Sequence, residues 1–327
     1  MTKVAIIGAG LSGLSTAHLL KDYAKVFLFE KARGVSGRMS TRRAETYFFD
    51  HGAQYFTART QPFKDFLLPL LNSGVIKRWN PRYVIYDDIE IIEQKNWAND
   101  EPRYVGVPGM NAVTQSLADS LNVSINTKIS SIQRKNKWEL KDETGRCYDG
   151  FDWIISTVPA PQVLNLMPKS FIHHDKISAI KMLASFTLML GFKEELTLDF
   201  EAAHVTNCDL SWIAVNSSKP GRENGFALTV HSSADYAETH INDEREEIMQ
   251  HLISETSRII GKDVSKANFK TIHGWRYANN DVRNKSFVFL DLNNKLAACG
   301  DWCFGGRVEG AFTSAYTLVK AMRESVF

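Results

Sequence analysis

Short apolar runs that alternate with amphipathic stretches divide the chain into strands and helices. Residues 3–7 form an almost continuous apolar run, which is typical of a buried parallel strand. A glycine turn and a helix through Leu20 follow, and the apolar run at 26–30 completes a βαβ unit of about 30 residues. The start of the chain therefore predicts a Rossmann-like α/β fold.

The rest of the chain is richer in strands than in helices. Residues 31–43 are polar, basic and glycine-rich and predict a loop, whereas residues 79–104 predict irregular short strands. The predicted helices are 62–73, 109–121, 243–260 and 309–325. The other predicted strands are 123–127, 129–134, 137–142, 153–157, 183–193, 211–215, 225–231, 269–275 and 296–300. The block from residue 161 to residue 282 therefore predicts an antiparallel sheet with a helical cover.

Composition places the chain among folded proteins of about two domains. It has 327 residues, 44% of them hydrophobic and 23% charged, which excludes disorder and coiled-coil rods as the main architecture. A net charge of +2 gives no reason to expect nucleic acid or an anionic membrane as a partner. The sequence shows no apolar run of the roughly 20 residues that span a membrane, and no secretory signal. Four cysteines without metal-ligand spacing fit a reducing compartment, so we expect a cytoplasmic protein without a bound metal.

A glycine motif lies at the turn of the first βαβ unit. Gly8, Gly10 and Gly13 follow a strand and open a helix, and Glu30 ends the second strand, near the spacing of about 20 residues expected for a ribose-binding acid. Such glycines allow a tight turn and a close approach of the backbone to a pyrophosphate at the helix N-terminus. The alternative is a tight turn without a ligand. In this context the motif predicts a dinucleotide.

Two distant features favour FAD over NAD as that dinucleotide. Arg38 follows a glycine turn at Gly37, where its guanidinium can donate to a pyrophosphate. Asp301 follows Gly300 at the end of a late apolar strand, where a carboxylate can hold ribityl hydroxyls. Singly, either could be an ordinary surface residue. The chain has no second motif of this kind, so a dinucleotide substrate would bind in the substrate cavity.

Several segments together resemble the amine-oxidase-like FAD flavoproteins and, within them, the bacterial branch of the renalase family. The resemblance covers nearly the whole chain. The runs GAQYFTAR and GDWC…GRVEGA are specific to renalase-like proteins, whereas the segments 8–14 and 30–43 occur in most flavin amine oxidases. The segments are GAGLSGL (8–14), EKARGVSGRMSTRR (30–43), FDHGAQYFTAR (49–59), RYVGVPGMNAV (103–113), STVPAPQ (156–162), HGWRYA (273–278) and GDWCFGGRVEGAFTSAY (300–316).

The resemblance implies an FAD-dependent oxidase of isomeric dihydro-NAD(P), with the hydride on the wrong carbon of the nicotinamide (1,2-dihydro and 1,6-dihydro forms). Hydride transfer to the flavin gives NAD(P)+, and reoxidation by O2 gives H2O2, which amounts to metabolite repair. Bacterial members of this branch look like specialists in the 1,2-dihydro isomer. Two alternatives stay open: a flavin amine oxidase of a small amine, and a non-catalytic FAD-binding redox sensor.

The resemblance also implies the domain plan of amine oxidases and p-hydroxybenzoate hydroxylase. A discontinuous FAD-binding domain would comprise 1–60, 103–160 and 283–327. An interleaved antiparallel-sheet substrate domain would comprise 61–102 and 161–282. We expect a monomer. We also expect FAD to be held non-covalently, because Cys303 departs from the covalent-cysteine pattern of monoamine oxidases.

The motif and the resemblance together give candidate residues for cofactor and substrate. We expect FAD to be bound by Gly8, Gly10, Leu11, Ser12, Gly13, Glu30, Lys31, Gly37, Arg38, Met39, Gly52, Ala53, Ile129, Thr157, Asp301, Val308 and Glu309. We expect the substrate to be bound by Gln54, Tyr55, Phe56, Thr57, Arg103, Tyr104, Ser185, Trp275, Trp302 and Arg307. Phe56 is equally compatible with a core position, and Arg307 with an exposed, ion-paired one.

The expected chemistry needs no acid or base from the protein. A dihydropyridine expels its hydride with the help of its own nitrogen lone pair, so the protein positions the rings and tunes the flavin. His51 and His273 are the candidate bases, but we expect them to be packing residues. The C-terminal helix, which begins near Arg307, would direct its positive end towards the reduced flavin.

Overall fold

A computed structural model of the chain describes residues 1–44, 46–97, 101–222, 225–280 and 287–326. The strands are β1 (Thr2–Ile7), β2 (Ala24–Phe29), β3 (Thr41–Ala44), β4 (Tyr47–Asp50), β5 (Ile76–Arg78), β6 (Arg82–Asp87), β7 (Glu90–Asn96), β8 (Tyr104–Gly106), β9 (Val123–Ser124), β10 (Ile129–Arg134), β11 (Trp138–Asp142), β12 (Cys147–Phe151), β13 (Trp153–Ser156), β14 (Met182–Phe192), β15 (Ala202–Thr206), β16 (Leu210–Val215), β17 (Phe226–Ser232), β18 (Phe269–Asn280), β19 (Phe289–Asp291) and β20 (Leu296–Ala298). The α-helices are α1 (Leu11–Leu20), α2 (Gln61–Asn72), α3 (Ala112–Ala118), α4 (Ala160–Leu166), α5 (His174–Ser178), α6 (Ala234–His240), α7 (Arg245–Ile260) and α8 (Val308–Ser325).

The chain divides into two compact units, each made of separate segments. Unit 1 comprises Met1–Gly37, Thr114–Met182 and Asn279–Phe327, and unit 2 comprises Arg38–Val113 and Leu183–Ala278. This division differs from the domain plan expected from the sequence. Residues 38–60 and 103–113 lie in unit 2, and residues 161–182 lie in unit 1. The expected boundary at 282/283 lies outside the described residues, and which residues form an FAD-binding domain stays a prediction.

Unit 1 contains a six-stranded sheet of order β19-β20-β13-β1-β2-β9. The pairs β2–β9, β1–β2, β1–β13 and β13–β20 are parallel, and only the β19–β20 pair is antiparallel. Val4, Ala5 and Ile6 are fully buried, as the continuous apolar run predicts for a strand covered on both faces. A three-stranded antiparallel sheet, β10-β11-β12, belongs to the same unit.

Unit 2 is organised around a seven-stranded sheet of order β18-β14-β17-β16-β15-β6-β7. The apolar face of α7 belongs to the core of this unit through Ile248, Leu252 and Ile253, which confirms the predicted helical cover. The pairs β14–β17, β16–β17 and β15–β16 are antiparallel, as predicted, and β15 also pairs in parallel with β6, which lies outside the block 161–282. The two strands come from distant parts of the chain, so no hairpin sets their relative direction.

The other differences from the predicted elements occur where local signals are weak. The predicted loop 31–43 ends in strand β3, which pairs with β4. Its sequence shows no alternation of apolar and polar residues that would predict a strand. The predicted helix 109–121 is confined to α3, Ala112–Ala118. The prolines after β13 close that strand as expected, but Pro161 also stands in the first turn of α4, a position that tolerates proline.

Candidate functional site

The predicted dinucleotide residues of unit 1 lie at one edge of its parallel sheet. β1 leads into Gly8, β2 into Glu30, β13 into Thr157 and β20 into Asp301. Because these four strands are mutually parallel, their carboxyl ends lie at the same edge, where ligands of open α/β sheets bind. We call this the nucleotide edge.

Glu30 provides a fixed carboxylate at the nucleotide edge. Its two oxygens accept hydrogen bonds from the backbone N–H groups of Ala9 and Ala32, each at 2.8 Å. An ionised carboxylate has about four acceptor positions, so each oxygen keeps capacity for a further donor such as a ribose hydroxyl. The side chain is only 8% exposed, which favours a single orientation. Glu30 therefore fits the predicted contact with the ribose.

The turn before α1 forms a cradle that suits a pyrophosphate. The cap residue Gly10 has no side chain to satisfy the first N–H groups of α1, which makes the helix start a suitable anion site. An ideal Cβ at Gly10 would have as its nearest neighbours Gly37 Cα at 3.9 Å and Ser36 O at 4.0 Å. A side chain there would make ordinary van der Waals contact with residues 36 and 37. Thr157 stabilises the turn, because its hydroxyl donates a hydrogen bond to Gly8 O at 2.9 Å.

The remaining candidates in unit 1 divide into exposed and internal residues. Lys31, Gly37 and Arg307 are exposed, while Leu11, Gly13 and Ile129 are buried. The Ser12 hydroxyl lies 3.3 Å from Cys299 Sγ inside the unit. Helix α8 begins at Val308 and has Glu309 in its first turn, which confirms the predicted start of this helix.

Trp302, an expected substrate residue, lies in the interior of unit 1. Its side chain is fully buried, and its Nε1 donates to Val158 O at 3.0 Å. The neighbouring Asp301 is 7% exposed. The indole has no accessible surface and its donor is used within unit 1, and contact of Trp302 with substrate stays a prediction.

In unit 2, the segment from His51 to Gln54 is held closely against the chain around Arg38. A Cβ on Gly52 would collide with Arg38 O, and Ala53 N donates to the same carbonyl at 2.8 Å. Arg38 itself donates from Nη1 to Ala278 O at 2.9 Å, and Met39 is buried. The sequence prediction that 52–53 approach a ligand by backbone is compatible with this tight packing.

A buried ionic cluster, not predicted from the sequence, lies directly behind this segment. Asp50 Oδ2 accepts from Arg222 Nη2 at 2.6 Å and lies 3.3 Å from Lys219 Nζ, and all three side chains are buried. Burial alone would raise the pKa of Asp50, but Lys219 and Arg222 lower it below its ordinary value. We call Asp50, Lys219, Arg222, Gln54 and Asn216 the Asp50 cluster. Nothing in the local sequence around Lys219 or Arg222 indicates that the fold buries them.

Gln54, an expected substrate residue, is a member of this cluster. Its Oε1 accepts from Lys219 Nζ at 3.0 Å, and its Nε2 lies 3.1 Å from both Gly52 O and His231 Nε2. Burial, Lys219 and His51 lower the pKa of His231 to about 3, so its ring is neutral at physiological pH. Contact of the Gln54 amide with substrate stays a prediction, because the structure gives that amide internal partners.

The two histidines considered as bases lie with Trp275 in one aromatic group. The rings of His51 and Trp275 stack at 5.4 Å, and His273 meets His51 edge-on at 5.2 Å. Burial, followed by His273 and Arg42, lowers the pKa of His51 to about 4. Burial also lowers the pKa of His273. Trp275 Nε1 donates to His51 O at 2.7 Å, so this donor is used within the unit.

The expected substrate residues Tyr55 and Arg103 form part of a second aromatic group. The Arg103 guanidinium lies 3.7 Å from the ring centroid of Trp97 and 5.9 Å from that of Tyr55. Tyr55 also contacts Trp212 at 5.6 Å, and Tyr55, Arg103 and Trp212 are partly exposed. We call Tyr55, Tyr83, Trp97, Arg103 and Trp212 the aromatic wall. The sequence prediction missed Tyr83, Trp97 and Trp212, although the richness of 79–104 in aromatic residues was a signal.

The other expected substrate residues of unit 2 are Phe56, Thr57, Tyr104 and Ser185. Phe56 is 3% exposed and packs against Phe63 and Tyr104, so the structure places it in the core. Thr57 and Tyr104 are partly exposed. The Ser185 hydroxyl lies 3.3 Å from Phe186 O, its own neighbour in β14.

In the part of the chain that the structure describes, the cysteines and acidic groups show no arrangement for a metal. All four cysteines are free, with Cys299 and Cys303 buried and Cys147 exposed. Burial raises the pKa of the Cys303 thiol well above its ordinary value. Within the described ranges, no group of three or more His, Cys, Asp or Glu side chains is placed to hold a metal ion. In the same ranges, no helix is both long and apolar enough to cross a membrane.

The fold and the nucleotide edge together define the class of an FAD-dependent oxidoreductase. Residues 6–68 match the profile of NAD(P)-binding Rossmann-like domains, and residues 90–322 match that of flavin containing amine oxidoreductases. The second match covers well over half of the chain. The protein therefore belongs to the family of flavin-containing amine oxidoreductases, and its cofactor is FAD.

Individual proteins extend this similarity over the full length of the chain. The sequence is 22% identical to renalase from Mus musculus over 353 aligned residues, which cover 100% of both chains. A putative protoporphyrinogen oxidase from Exiguobacterium sp. 255-15 superposes with a TM-score of 0.78 at 12% identity, covering 99% of each chain. Reduced UDP-galactopyranose mutase superposes with a TM-score of 0.76 at 12% identity, covering 99% of this chain and 94% of that one. At such identities, the two structures establish the fold alone.

Proposed function

We propose that this protein is an oxidase of isomeric dihydro-NAD(P), the 1,2-dihydro and 1,6-dihydro nicotinamides, and that it acts in metabolite repair. Bound FAD supplies the hydride acceptor and passes the electrons to O2, so the products are NAD(P)+ and H2O2. The observation that carries the proposal is the match to mouse renalase over the whole of both chains. The free cysteines fit a cytoplasmic location, which we propose as well.

In this proposal, backbone and carboxylate groups of the nucleotide edge hold the cofactor. Gly10 and the start of α1 receive the pyrophosphate, and Glu30 accepts from the ribose hydroxyls. Asp301 would hold the ribityl chain, and the N-terminus of α8 would supply N–H donors and partial positive charge to the flavin. We also propose Arg38, Met39, Gly52 and Ala53 of unit 2 as cofactor residues.

The substrate of this reaction is a flat ring joined to phosphates, and unit 2 offers groups of both kinds. Tyr55, Tyr104 and Trp275 present aromatic surface, and Arg103 presents a partly exposed cation beside it. Arg307, at the cap of α8, adds an exposed cation in unit 1. These residues bind and orient the substrate, and none has to remove a proton.

The histidines fit this proton-free chemistry. With a pKa of about 4, His51 is neutral at pH 7, but its ring is stacked on Trp275 and buried. A general base must reach the proton that it removes. His51 and His273 therefore serve as packing groups in this proposal, and no side chain is assigned as a catalytic acid or base.

The proposal is tested by anaerobic mixing of the FAD-bound protein with dihydro-NAD isomers made by borohydride reduction of NAD+. Ordinary NADH and a set of small amines are mixed in parallel, and bleaching of the visible flavin band is followed. Rapid bleaching by the 1,2-dihydro isomer, with NADH and amines inert, is the expected result. Bleaching by an amine alone would show a flavin amine oxidase, which the family profile also accommodates. Bleaching by none of them would favour a redox sensor.

Two further experiments test the site. Arg307→Ala should slow flavin reduction or weaken substrate binding while FAD stays bound, and unchanged reduction kinetics would remove Arg307 from the site. Acid precipitation should release the yellow colour into the supernatant, because we propose that FAD is held without a covalent bond. Colour retained in the pellet would contradict this.

A further inference from the structure

Lys219 uses its whole hydrogen-bonding capacity inside unit 2. The side chain has no exposed surface, and its Nζ lies 3.0 Å from Gln54 Oε1, 3.0 Å from Asn216 Oδ1 and 3.3 Å from Asp50 Oδ2. An ammonium group has three N–H donors, so each of them has one partner. The arrangement requires the protonated form, because a neutral amine would have only two hydrogens to donate.

Lys219 is not needed to neutralise Asp50. Arg222 already pairs with Asp50 Oδ2 at 2.6 Å, while Thr41 Oγ1 and Met110 N donate to Oδ1 at 2.7 and 3.0 Å. One carboxylate therefore faces two buried cations, which leaves an excess of positive charge. A second cation at this place needs an explanation other than pairing.

Lys219, unlike Arg222, also donates to the side chains of Gln54 and Asn216, and the contact with Gln54 is the one that reaches the segment 51–54. An amide side chain can turn over and exchange its oxygen and nitrogen, and a donor at Oε1 prevents this. With Oε1 held by Lys219, Gln54 Nε2 faces Asp50 O, Gly52 O and His231 Nε2. In the reversed orientation, the amide oxygen would face two carbonyl oxygens and repel them. Lys219 therefore sets the direction of the Gln54 amide.

The Gln54 amide in turn fixes the backbone from residue 50 to residue 52. It donates to the carbonyls of Asp50 and Gly52, and the intervening carbonyl of His51 accepts from Thr187 Oγ1 at 2.9 Å and Trp275 Nε1 at 2.7 Å. Three successive carbonyls thus have side-chain donors. This degree of fixation is typical of a segment whose backbone must be held in one place.

We infer that Lys219 is a positioning residue that acts through Gln54 to hold the segment 51–54 against the flavin. The inference rests on the proposed function, in which Gly52 and Ala53 contact the cofactor.

Folding stability alone does not explain why Lys219 is buried. Burial lowers the pKa of Lys219 from 10.5 to about 8, although Asp50 opposes this shift; Arg222 contributes to it. The unfolded chain therefore binds more protons than the folded one between pH 8 and 10.5, and the fold gains stability as the pH rises through that window. Replacement of a whole buried ion pair by apolar side chains is often neutral or stabilising, and when Lys219 alone is replaced, Asp50 keeps its pairing with Arg222. The ring of Trp79, 5.1 Å from Nζ, provides apolar surroundings for such a replacement.

The first test compares Lys219→Met with the surface variant Lys266→Met, each as the FAD-bound protein. Lys266 is 81% exposed and belongs to the same unit. We expect Lys219→Met to bind FAD and to show a shifted flavin absorption spectrum. Its rate of anaerobic flavin reduction should fall by about tenfold or more, because small displacements in an oriented pair are costly. A spectrum and a rate equal to those of Lys266→Met would overturn the inference.

The second test asks whether Lys219 acts through Gln54. Gln54→Leu should reproduce the spectral shift, and the double variant should show no further change, because both substitutions remove one interaction. Additive spectral shifts would contradict the inference. If Lys219→Met does not fold, Gln54→Leu still carries the test: without the spectral shift in that variant, the inference fails.

The pH dependence gives a signature that a purely structural lysine would lack. Asp50, Arg222, His231 and His51 are the other charged or titratable groups of this region, and the pKa values of Asp50, His231 and His51 lie below their ordinary values. The spectrum of wild-type bound FAD should therefore change with a midpoint near pH 8, and the change should be missing in Lys219→Met. Stability should rise as the pH increases from about 8 to 10.5. A wild-type spectrum that is constant from pH 7 to pH 9 would overturn the inference.

The spectral readouts separate this inference from the proposed substrate. They need bound FAD but no dihydro-NAD(P), so they stay valid if those isomers fail to reduce the wild type. In that case, photochemical reduction replaces the substrate in the rate measurement. Failure of the wild type with the isomers would reject the proposed function, whereas identical spectra of wild type and variants would reject only the role of Lys219.

Discussion

The nucleotide edge of unit 1 and the Asp50 cluster of unit 2 place their polar groups in opposite ways. At the nucleotide edge, parallel strands deliver Gly8, Glu30 and Asp301 at their carboxyl ends, and Glu30 is bonded to backbone N–H groups. In the Asp50 cluster, side chains 169 and 172 residues apart meet in the interior. The first arrangement follows from local spacing and strand direction. The second depends on the tertiary fold, so the two should respond differently to mutation.

Removal of the carboxylate charge of Asp50 should have the largest effect. Asp50→Asn keeps the shape of the side chain but leaves Lys219 and Arg222 buried without a counter-charge. Breaking a buried ion pair in this way costs about 3–5 kcal/mol, which urea unfolding of the FAD-bound protein measures. Asp263→Asn, at an exposed aspartate of the same unit, is the matched control and should change little. Equal losses in the two variants would show that the Asp50 cluster contributes no special stability.

A smaller effect on stability should come from His51 as the pH falls. Its folded pKa of about 4 lies below the ordinary 6.5, so the unfolded chain binds a proton first and the fold loses stability from pH 6.5 down to about 4. The full loss from this group is about 3 kcal/mol. In His51→Gln, the slope of unfolding free energy against pH over this range should therefore be smaller. An unchanged slope would assign the acid sensitivity to other groups.

The two regions also differ in how far the sequence predicts them. The spacing of Gly8, Gly10, Gly13 and Glu30 predicts the first βαβ unit, because each residue acts within its own turn or strand end. Lys219 and Arg222 lie in a short polar stretch with Ser218 and Pro220, which locally indicates an exposed turn. Their burial becomes apparent only when β4 and the segment after β16 come together. The same reason explains the missed parallel pair β6–β15, because its partners are more than 100 residues apart in the chain.

At the nucleotide edge, loss of one carboxylate should weaken cofactor binding without unfolding the protein. Glu30→Ala removes the acceptor proposed for the ribose, and hydrogen bonds to a charged group contribute about 1.5–3 kcal/mol. The dissociation constant of FAD should therefore rise by about ten- to a hundredfold, as measured by fluorescence titration of the apoprotein. Glu143→Ala, at an exposed glutamate of unit 1, is the control. If FAD binds equally well to both variants, Glu30 holds only its own turn.

The smallest effect that we expect concerns Arg103 of the aromatic wall. Arg103→Met keeps an extended side chain over Trp97 but removes the charge proposed to meet the substrate phosphates. The KM for a dihydro-NAD isomer should rise by about tenfold at low ionic strength, and the difference from the wild type should shrink as salt is added. Arg258→Met removes an ion-paired surface arginine of the same unit and should leave KM unchanged. A KM in Arg103→Met that equals the wild-type value at low salt would show that Arg103 stabilises the aromatic wall without binding the substrate. In contrast to Glu30, whose loss acts on the cofactor, a confirmed effect at Arg103 would place substrate recognition in the side chains of unit 2.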